Sequence, residues 1–354
     1  MSNINVSIEQ VTEVIVHPNA DKLEIIKILG TQTIAPKGEY KVGDRVVFFR
    51  PDILLPPAVS EKLGVQKYLK GCMLGGLKLP CRVAACRLRG VPSYGFIIKD
   101  YDKLPLGMDV SADYSAEKYE PPTRNRIQGD CAANHPAFHK YTDIQNYYRY
   151  AETMPEGTLV RITEKIHGTN SRVGYIRTED GYVRMAGSHN TNRKEYDAAD
   201  NLSLYWRPLT SDMYNLLVAL RGGGDHDVVV FGEIYGPGIQ DLDYGVPVGE
   251  VGYQVFDITV DGRYIDWDDL QAACNQHGIA TVPLLYRGSF SKQILDAHTD
   301  GPTTLGSVRS KFKGREGVVV TPLHETHSDV LGGRLILKNK SADYLDRKNP
   351  QDNA

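Results

Sequence analysis

Short runs in which apolar and polar residues alternate, broken by Gly, Pro and Asp, fill the first 115 residues. Ile4-Asn5-Val6-Ser7-Ile8 and Arg45-Val46-Val47-Phe48-Phe49 are examples. Several short strands at this spacing predict a small β-barrel. Residues 116–134, with Pro121, Pro122 and Gly129, carry no period and predict a linker. From residue 135 onward the pattern mixes strands with helices, giving an α+β domain of antiparallel sheets with flanking helices over 135–354. Ser171 to Arg177 and Gly181 to Ala186 predict a hairpin turning at Glu179-Asp180-Gly181. Leu202, Tyr205, Trp206, Leu209, Met213, Leu216, Leu217 and Leu220 keep helical spacing over 201–221, interrupted at Pro208 and stopped by Gly222. Strands are predicted at 227–235, 251–260, 316–320 and 334–339, with a turn at Asp261-Gly262 and helices at 266–277 and 291–298.

With 354 residues, two domains fit, and 41% apolar with 24% charged residues describes an ordinary globular chain. No apolar run approaches the roughly 18 residues of a membrane span and no signal-like segment opens the chain, so a cytoplasmic protein without a membrane partner is expected. The net charge of −3 confines any polyanion contact to local basic clusters. Cys72, Cys81, Cys86, Cys131 and Cys274 form no CxxC pair, which predicts reduced thiols and no structural zinc site. No Gly-Lys-Ser/Thr follows Gly222-Gly223-Gly224, so any nucleotide is bound without a Walker loop. His324-Glu325-Thr326-His327 spaces its histidines three apart, unlike a zinc protease, and predicts a loop.

The chemistry converges on Glu164-Lys165-Ile166-His167-Gly168-Thr169-Asn170. A lysine at the end of the strand-like run 158–163 points its amine into a cleft, and Gly168 permits close approach of a ligand. A lysine nucleophile must lose its proton, against a reference pKa near about 10.4. Lys338 and Lys340, two apart on a strand, share a face and are expected to lower the Lys165 pKa and neutralise a phosphate. Glu316 is the expected ligand for Mg²⁺ or Mn²⁺, hard cations that prefer carboxylate and water oxygens. Arg149 lacks a carboxylate at i±4 and is free to meet a phosphate.

The stretches EKIHGTN (164–170), FGEIYG (231–236), YQVFDI (253–258), EGVVV (316–320) and LKNK (337–340) resemble, in order, motifs I, III, IIIa, IV and V of the covalent nucleotidyltransferases, the superfamily of DNA ligases, RNA ligases and capping enzymes. The resemblance spans about 138–345. Val14 to Ile25 and Arg87 to Phe96 resemble two parts of a tRNA-binding OB-fold domain, with an unmatched insertion at about 51–80. His167, Thr169-Asn170 and the upstream Lys140-Tyr141-Thr142-Asp143-Ile144 look like ATP-dependent RNA ligases that seal nicks. The order of domains resembles the class with an N-terminal OB domain, and the fourteen residues after Lys340 disfavour ligases and capping enzymes that need a further C-terminal domain.

The resemblance implies an OB barrel (1–115), a linker, and an ATP-grasp-like adenylyltransferase domain. It implies ATP and a divalent metal as cofactors, and an RNA partner, as a nicked duplex or an RNA–DNA hybrid; no obligate protein partner is evident. Lys165 would be the nucleophile, with Lys338 and Lys340 assisting; Glu233 would accept ribose hydroxyls, Phe256 would stack on adenine, Asn170 would orient phosphate or hydrated metal, and Glu164 and Ile166 would flank the nucleotide. Phe256 as a plain core aromatic is the alternative. Related ligases place an arginine where this chain reads Gly187-Ser188-His189-Asn190, leaving Arg172, Arg193 and Arg149 as candidates for that role. Arg82, Arg87, Arg89 and Tyr94 are candidates for a nucleic-acid groove on the barrel, and Arg309, Lys311, Lys313 and Arg315 for a phosphate-tracking stripe. The competing functions are a GTP-dependent capping-type guanylyltransferase and a non-catalytic RNA-binding protein.

Overall fold

The computed structural model describes residues 6–74, 77–101, 103–119, 130–306 and 310–345. The first strand, Val6–Val16, is shared between two partners: its first half pairs antiparallel with Arg45–Phe49 and its second half with Leu23–Ile28. A register shift between Val11 and Glu13 lets it bend from one to the other, and such bulges close sheets into barrels. Two hairpins are made by residue pairs in the left-handed region, Leu29-Gly30 and Arg89-Gly90, which match the twist of the strands they join. The barrel core is Val6, Ile8, Val47, Phe49, Ile53 and Leu55.

The two stretches that resemble an OB domain meet in space. His17 Nε2 lies 3.1 Å from the Leu88 carbonyl and Asn19 Nδ2 donates to the Arg89 carbonyl at 3.0 Å. The unmatched insertion forms a helix, Pro57–Lys62, and a hairpin, Lys70–Leu74 with Leu77–Arg82, in a second sheet. That sheet also takes Glu117–Lys118, so barrel structure runs past residue 115. Within the hairpin, Cys72 and Cys81 form a disulfide, which corrects the expectation of reduced thiols. The pairing escaped the sequence because it depends on a hairpin that brings close together two cysteines nine residues apart in the chain. Most of the linker, including Pro121, Pro122 and Gly129, lies outside the described residues.

The second domain stacks a six-stranded antiparallel sheet against a five-stranded one. Val228–Tyr235, in the middle of the larger sheet, shows why its sequence is apolar without alternation. Val228 and Val230 face a core with the helices Ser211–Arg221 and Trp267–Gln276, while Val229 and Phe231 face a second core with Phe138, Tyr141 and Ile336. A strand buried on both faces reads as a continuous hydrophobic run. The longer helix begins at Ser211 because Thr210 caps it, its hydroxyl accepting the Met213 N–H at 3.3 Å, beyond Pro208. The smaller sheet packs its outer face on the helix Lys292–Thr299. It also contains Leu284–Ser289, a strand with no clear sequence signal, and Gln145–Asn146, which pairs parallel to Leu337–Lys340. Among the described residues, no helix is long and apolar enough to cross a membrane.

Candidate active site

Lys165 stands where the chain leaves one sheet for the other. Leu159–Glu164 belongs to the five-stranded sheet and Thr169–Thr178 to the six-stranded one, and the four residues between them cross the gap. The crossing is pinned at three backbone amides: Glu164 N–H donates to the Pro283 carbonyl at 2.9 Å, Lys165 N–H to the Gly317 carbonyl at 2.9 Å, and His167 N–H to the Tyr244 hydroxyl at 2.7 Å. Gly168 is required here by its neighbour strand. A Cβ at this position would meet the Ile234 carbonyl oxygen at 2.2 Å. Gly168→Ala is therefore expected to destabilise the domain by about 1–3 kcal/mol through overpacking, read as a lower denaturant midpoint.

The structure brings Lys165, Glu316, Lys338 and Lys340 together. Lys165 Nζ lies 2.9 Å from Glu316 Oε1, and Lys340 Nζ 3.8 Å from the same oxygen. Strand register does this: Glu164 pairs with Val318, while Gly317 and Val319 pair with Lys340 and Lys338. Burial alone would raise the Glu316 carboxyl, but the Lys165 and His167 groups beside it outweigh burial and hold it down at about 2. Crowding of cations is felt at Lys338. Burial first, then the charges of Lys165 and Lys340, lower its ammonium to about 8.

Among the described residues, two acceptor atoms in this site are buried without a hydrogen-bond partner, Glu316 Oε2 and Asn170 Oδ1. His167 Nδ1 is 3.6 Å from Glu316 Oε2, too far for a hydrogen bond. Buried orphan oxygens of this kind fit a hard cation or its water shell. No cluster of three or more His, Cys, Asp or Glu occurs among the described residues, so such a cation would take most of its ligands from water or phosphate.

Beside Lys165 a cavity of about 220 Å³ opens between the sheets, lined by Tyr141, Ile144, Glu164, Ile166, Asn170, Glu233, Phe256 and Val282, among others. Phe256, at a bulge in Gly252–Val260, forms part of its wall, its ring 4.8 Å from that of Tyr141. Glu233 lies opposite Asn170 in the strand register. Its carboxyl retains some exposed surface, yet burial pushes it up to about 8, with Glu316 adding and Lys165 opposing. Glu164 is turned away from a purely nucleotide-facing role: its carboxylate accepts from the Thr304 N–H at 2.9 Å, the Thr304 hydroxyl at 2.7 Å and the Thr303 hydroxyl.

Two groups in the site have no role assigned from the sequence. His167, buried, is held by Asp241 at Nε2 (2.8 Å) and by the Tyr344 hydroxyl at Nδ1 (3.1 Å). Asp257, also buried and lining the cavity, receives Arg334 at 2.8 Å, Arg161 at 3.3 Å and the Tyr141 hydroxyl. Its burial opposes ionisation, but Arg334 and Arg161 outweigh that and hold the carboxyl below its usual range. The available signal was a carboxylate inside the apolar run Val255-Phe256-Asp257-Ile258, which burial permits only when it is paired.

Several basic candidates have other duties. Arg172 donates to the Phe138 and Ser188 carbonyls and to Asn192 Oδ1 and is fully buried, so it is structural. Arg193 lies over the Tyr205 ring at 5.5 Å. Arg315 is buried, donating to the His298 and Pro302 carbonyls, which breaks the proposed stripe; Lys311 and Lys313 are exposed and Arg309 lies outside the described residues. On the barrel, Arg82 is paired to Asp52, Arg89 is a turn residue, and Tyr94 is 7% exposed, which denies it a role as an open stacking platform. Arg87 is exposed, donating to the Gly90 carbonyl at 2.9 Å. Arg334 joins Glu325 to Asp257, and His324 meets Asp266, so residues 324–326 form a structural loop, while His327 opens a two-residue strand paired with Gly333–Arg334. Arg149 is placed at the seam between barrel and site.

A lysine on a carboxylate at the mouth of an inter-sheet cavity, with two further lysines behind it, is the arrangement of a nucleotidyl-transferring enzyme. An RNA ligase family model matches residues 158–340, more than half of the chain, and an OB-fold domain model matches residues 5–99. The chain belongs to the RNA ligase family. Among solved structures it is similar to Naegleria gruberi RNA ligase with PPi, at 22% identity and a TM-score of 0.69, covering 98% of this chain and 99% of that one. It is also similar to a mutant of the same ligase with AMP and Mn, at 22% identity and a TM-score of 0.70, covering 97% and 98%. At this identity the likeness concerns the fold. No curated protein sequence matches the chain.

Proposed function

We propose that the protein is an ATP-dependent RNA ligase that joins a 3′-hydroxyl RNA end to a 5′-phosphate end, with a nick in a duplex or RNA–DNA hybrid as its substrate. The observation that carries this reading is the Lys165 amine, 2.9 Å from Glu316 and flanked by Lys338 and Lys340. In the first step Lys165 Nζ attacks the α-phosphorus of ATP, forming a P–N bond as pyrophosphate departs. The adenylyl group then passes to the RNA 5′-phosphate, freeing the lysine, and the 3′-hydroxyl oxygen displaces AMP to close the phosphodiester. Splitting one displacement into three is covalent catalysis. The inter-sheet cavity suits adenosine, with Phe256 and Ile166 as apolar walls and Glu233 toward the ribose. Glu316 Oε2 and Asn170 Oδ1 would hold Mg²⁺ or Mn²⁺, directly or through water, and the ion would supply charge neutralisation at the phosphates. Lys338 and Lys340 serve the same end from the protein side.

Lys338 sets a pH limit. Below about 8 it is a cation that attracts phosphate, and above that value the free protein loses this charge. Affinity for a non-reacting ATP analogue is therefore expected to weaken as pH rises through about 8, by no more than about tenfold per unit. Lys338→Arg, which keeps its charge, should move the weakening to higher pH; an unchanged profile would remove Lys338 from phosphate binding.

Substrate choice is tested by sealing assays on a nicked RNA duplex, the same nick with a DNA 5′-phosphate strand, and single-stranded RNA. Sealing confined to the duplex substrates supports the nick reading, and preference for single strands overturns it.

A further inference from the structure

We propose that Tyr94 of the barrel positions Arg149 for contact with a phosphate, so that the front domain takes part in nucleotidyl transfer through a stacked guanidinium. The proposal rests on the ligase reading above. Arg149 Cζ lies 5.4 Å from the centroid of the Tyr94 ring and 5.8 Å from that of Tyr148, and the two rings are themselves 5.8 Å apart. Tyr94 is buried and comes from the front domain, whereas Tyr148 is 54% exposed and is Arg149's own chain neighbour. The guanidinium is therefore held across a domain boundary.

What Arg149 lacks is as informative as what it touches. Among the described residues it has no ion pair and no hydrogen bond, and its Nε is buried without a partner. Arg172 and Arg334, by contrast, engage all three guanidinium nitrogens, Arg172 on two carbonyls and an amide oxygen and Arg334 on two carboxylates. Aromatic faces fix the plane of a guanidinium while leaving its N–H edge open, the edge that matches phosphate oxygens. Position supplies the target. Arg149 follows by three residues Asn146, whose partner in the strand register is Lys338, and the Arg149 charge is one of those that lower the Lys338 ammonium.

Tyr94 is suited to the task because it is itself immobilised. The preceding Ser93 hydroxyl accepts the Ile34 N–H at 3.0 Å and lies 3.2 Å from the Thr33 hydroxyl. The following Gly95 leaves no room for a Cβ, which would meet the Phe49 carbonyl oxygen at 2.0 Å. The ring is thus carried on backbone pressed against the strand Arg45–Phe49.

The phosphate belongs either to ATP or to the RNA 5′ end, and two assays on the full chain separate them: lysyl-AMP formation from ATP, and sealing of a pre-adenylylated nick. In at least one of them Tyr94→Leu is expected to lower the saturated rate roughly tenfold, the scale of a desolvated cation–π contact. Tyr94→Phe, which keeps the ring face, should stay within about twofold of wild type. In an Arg149→Ala background the Tyr94→Leu change should have no further effect. Additive losses, or equal losses for Leu and Phe, would overturn the proposal. Should Tyr94→Leu fail to fold, stepwise fluorination of a Tyr94→Phe variant weakens the ring face without changing its shape. The rate should then fall with each fluorine only when Arg149 is present, and a constant rate would overturn the proposal. Wild-type protein that forms no lysyl-AMP and seals no nick would instead defeat the ligase reading itself.

Discussion

Lys165→Ala is expected to abolish sealing, with a rate loss of roughly 10⁵–10⁶-fold, the scale seen when a covalent nucleophile is removed. Two other amines stand close by, so the prediction discriminates. Lys338 has an ammonium lowered to about 8, which makes it a rival nucleophile. Geometry argues otherwise. Lys165 lines the cavity and its side chain is 24% exposed beside Glu316, whereas Lys338 does not line it. Sealing by Lys165→Ala within a hundredfold of wild type would transfer the nucleophile's role to Lys338. The variant also leaves Glu316 without its nearest cation, so its carboxyl should titrate at a higher pH than about 2.

The second large effect is on stability. Asp257→Ala removes the buried carboxylate shared by Arg161 and Arg334, and breaking a buried ion pair by deleting one partner costs about 3–5 kcal/mol. Arg334 keeps Glu325, but Arg161 is 4% exposed and, among the described residues, makes no other ion pair. Because Asp257, Arg161 and Tyr141 all line the cavity, loss of nucleotide affinity should accompany the loss of stability. Chemical denaturation of the full chain checks this. A shift of the second domain's transition worth less than about 1 kcal/mol would mean that the cluster relaxes and that its role is confined to the cavity wall.

Much of the site was legible because it is carried by short strands whose ends hold functional groups. Lys165 at the end of Leu159–Glu164 and the Lys338/Lys340 pair on one strand face follow from strand reasoning, Glu316 before Gly317–Pro322 stands out through the motif it resembles, and strand register then brings them together. The three hairpins with left-handed residue pairs were legible in part: Asp261-Gly262 reads as a turn, while Leu29-Gly30 and Arg89-Gly90 carry weaker signals. What stayed hidden depends on long-range pairing. Nothing local in Arg161, Asp257 or Arg334 shows that three strands carry them to one point, and nothing in Cys72 and Cys81 shows that they face each other across a hairpin. Arginines were the least legible residues. The same side chain serves as a carbonyl clamp at Arg172, a loop brace at Arg315 and an open-edged stack at Arg149, and only the partners distinguish these uses.

The most direct measurement of the central claim is the covalent state of the wild-type protein after incubation with labelled ATP or GTP and Mg²⁺ or Mn²⁺. The account predicts acid-stable label from ATP, released pyrophosphate in equal amount, and a labelled peptide whose modified residue is Lys165. Label from GTP alone, or no label from either nucleotide, would contradict it.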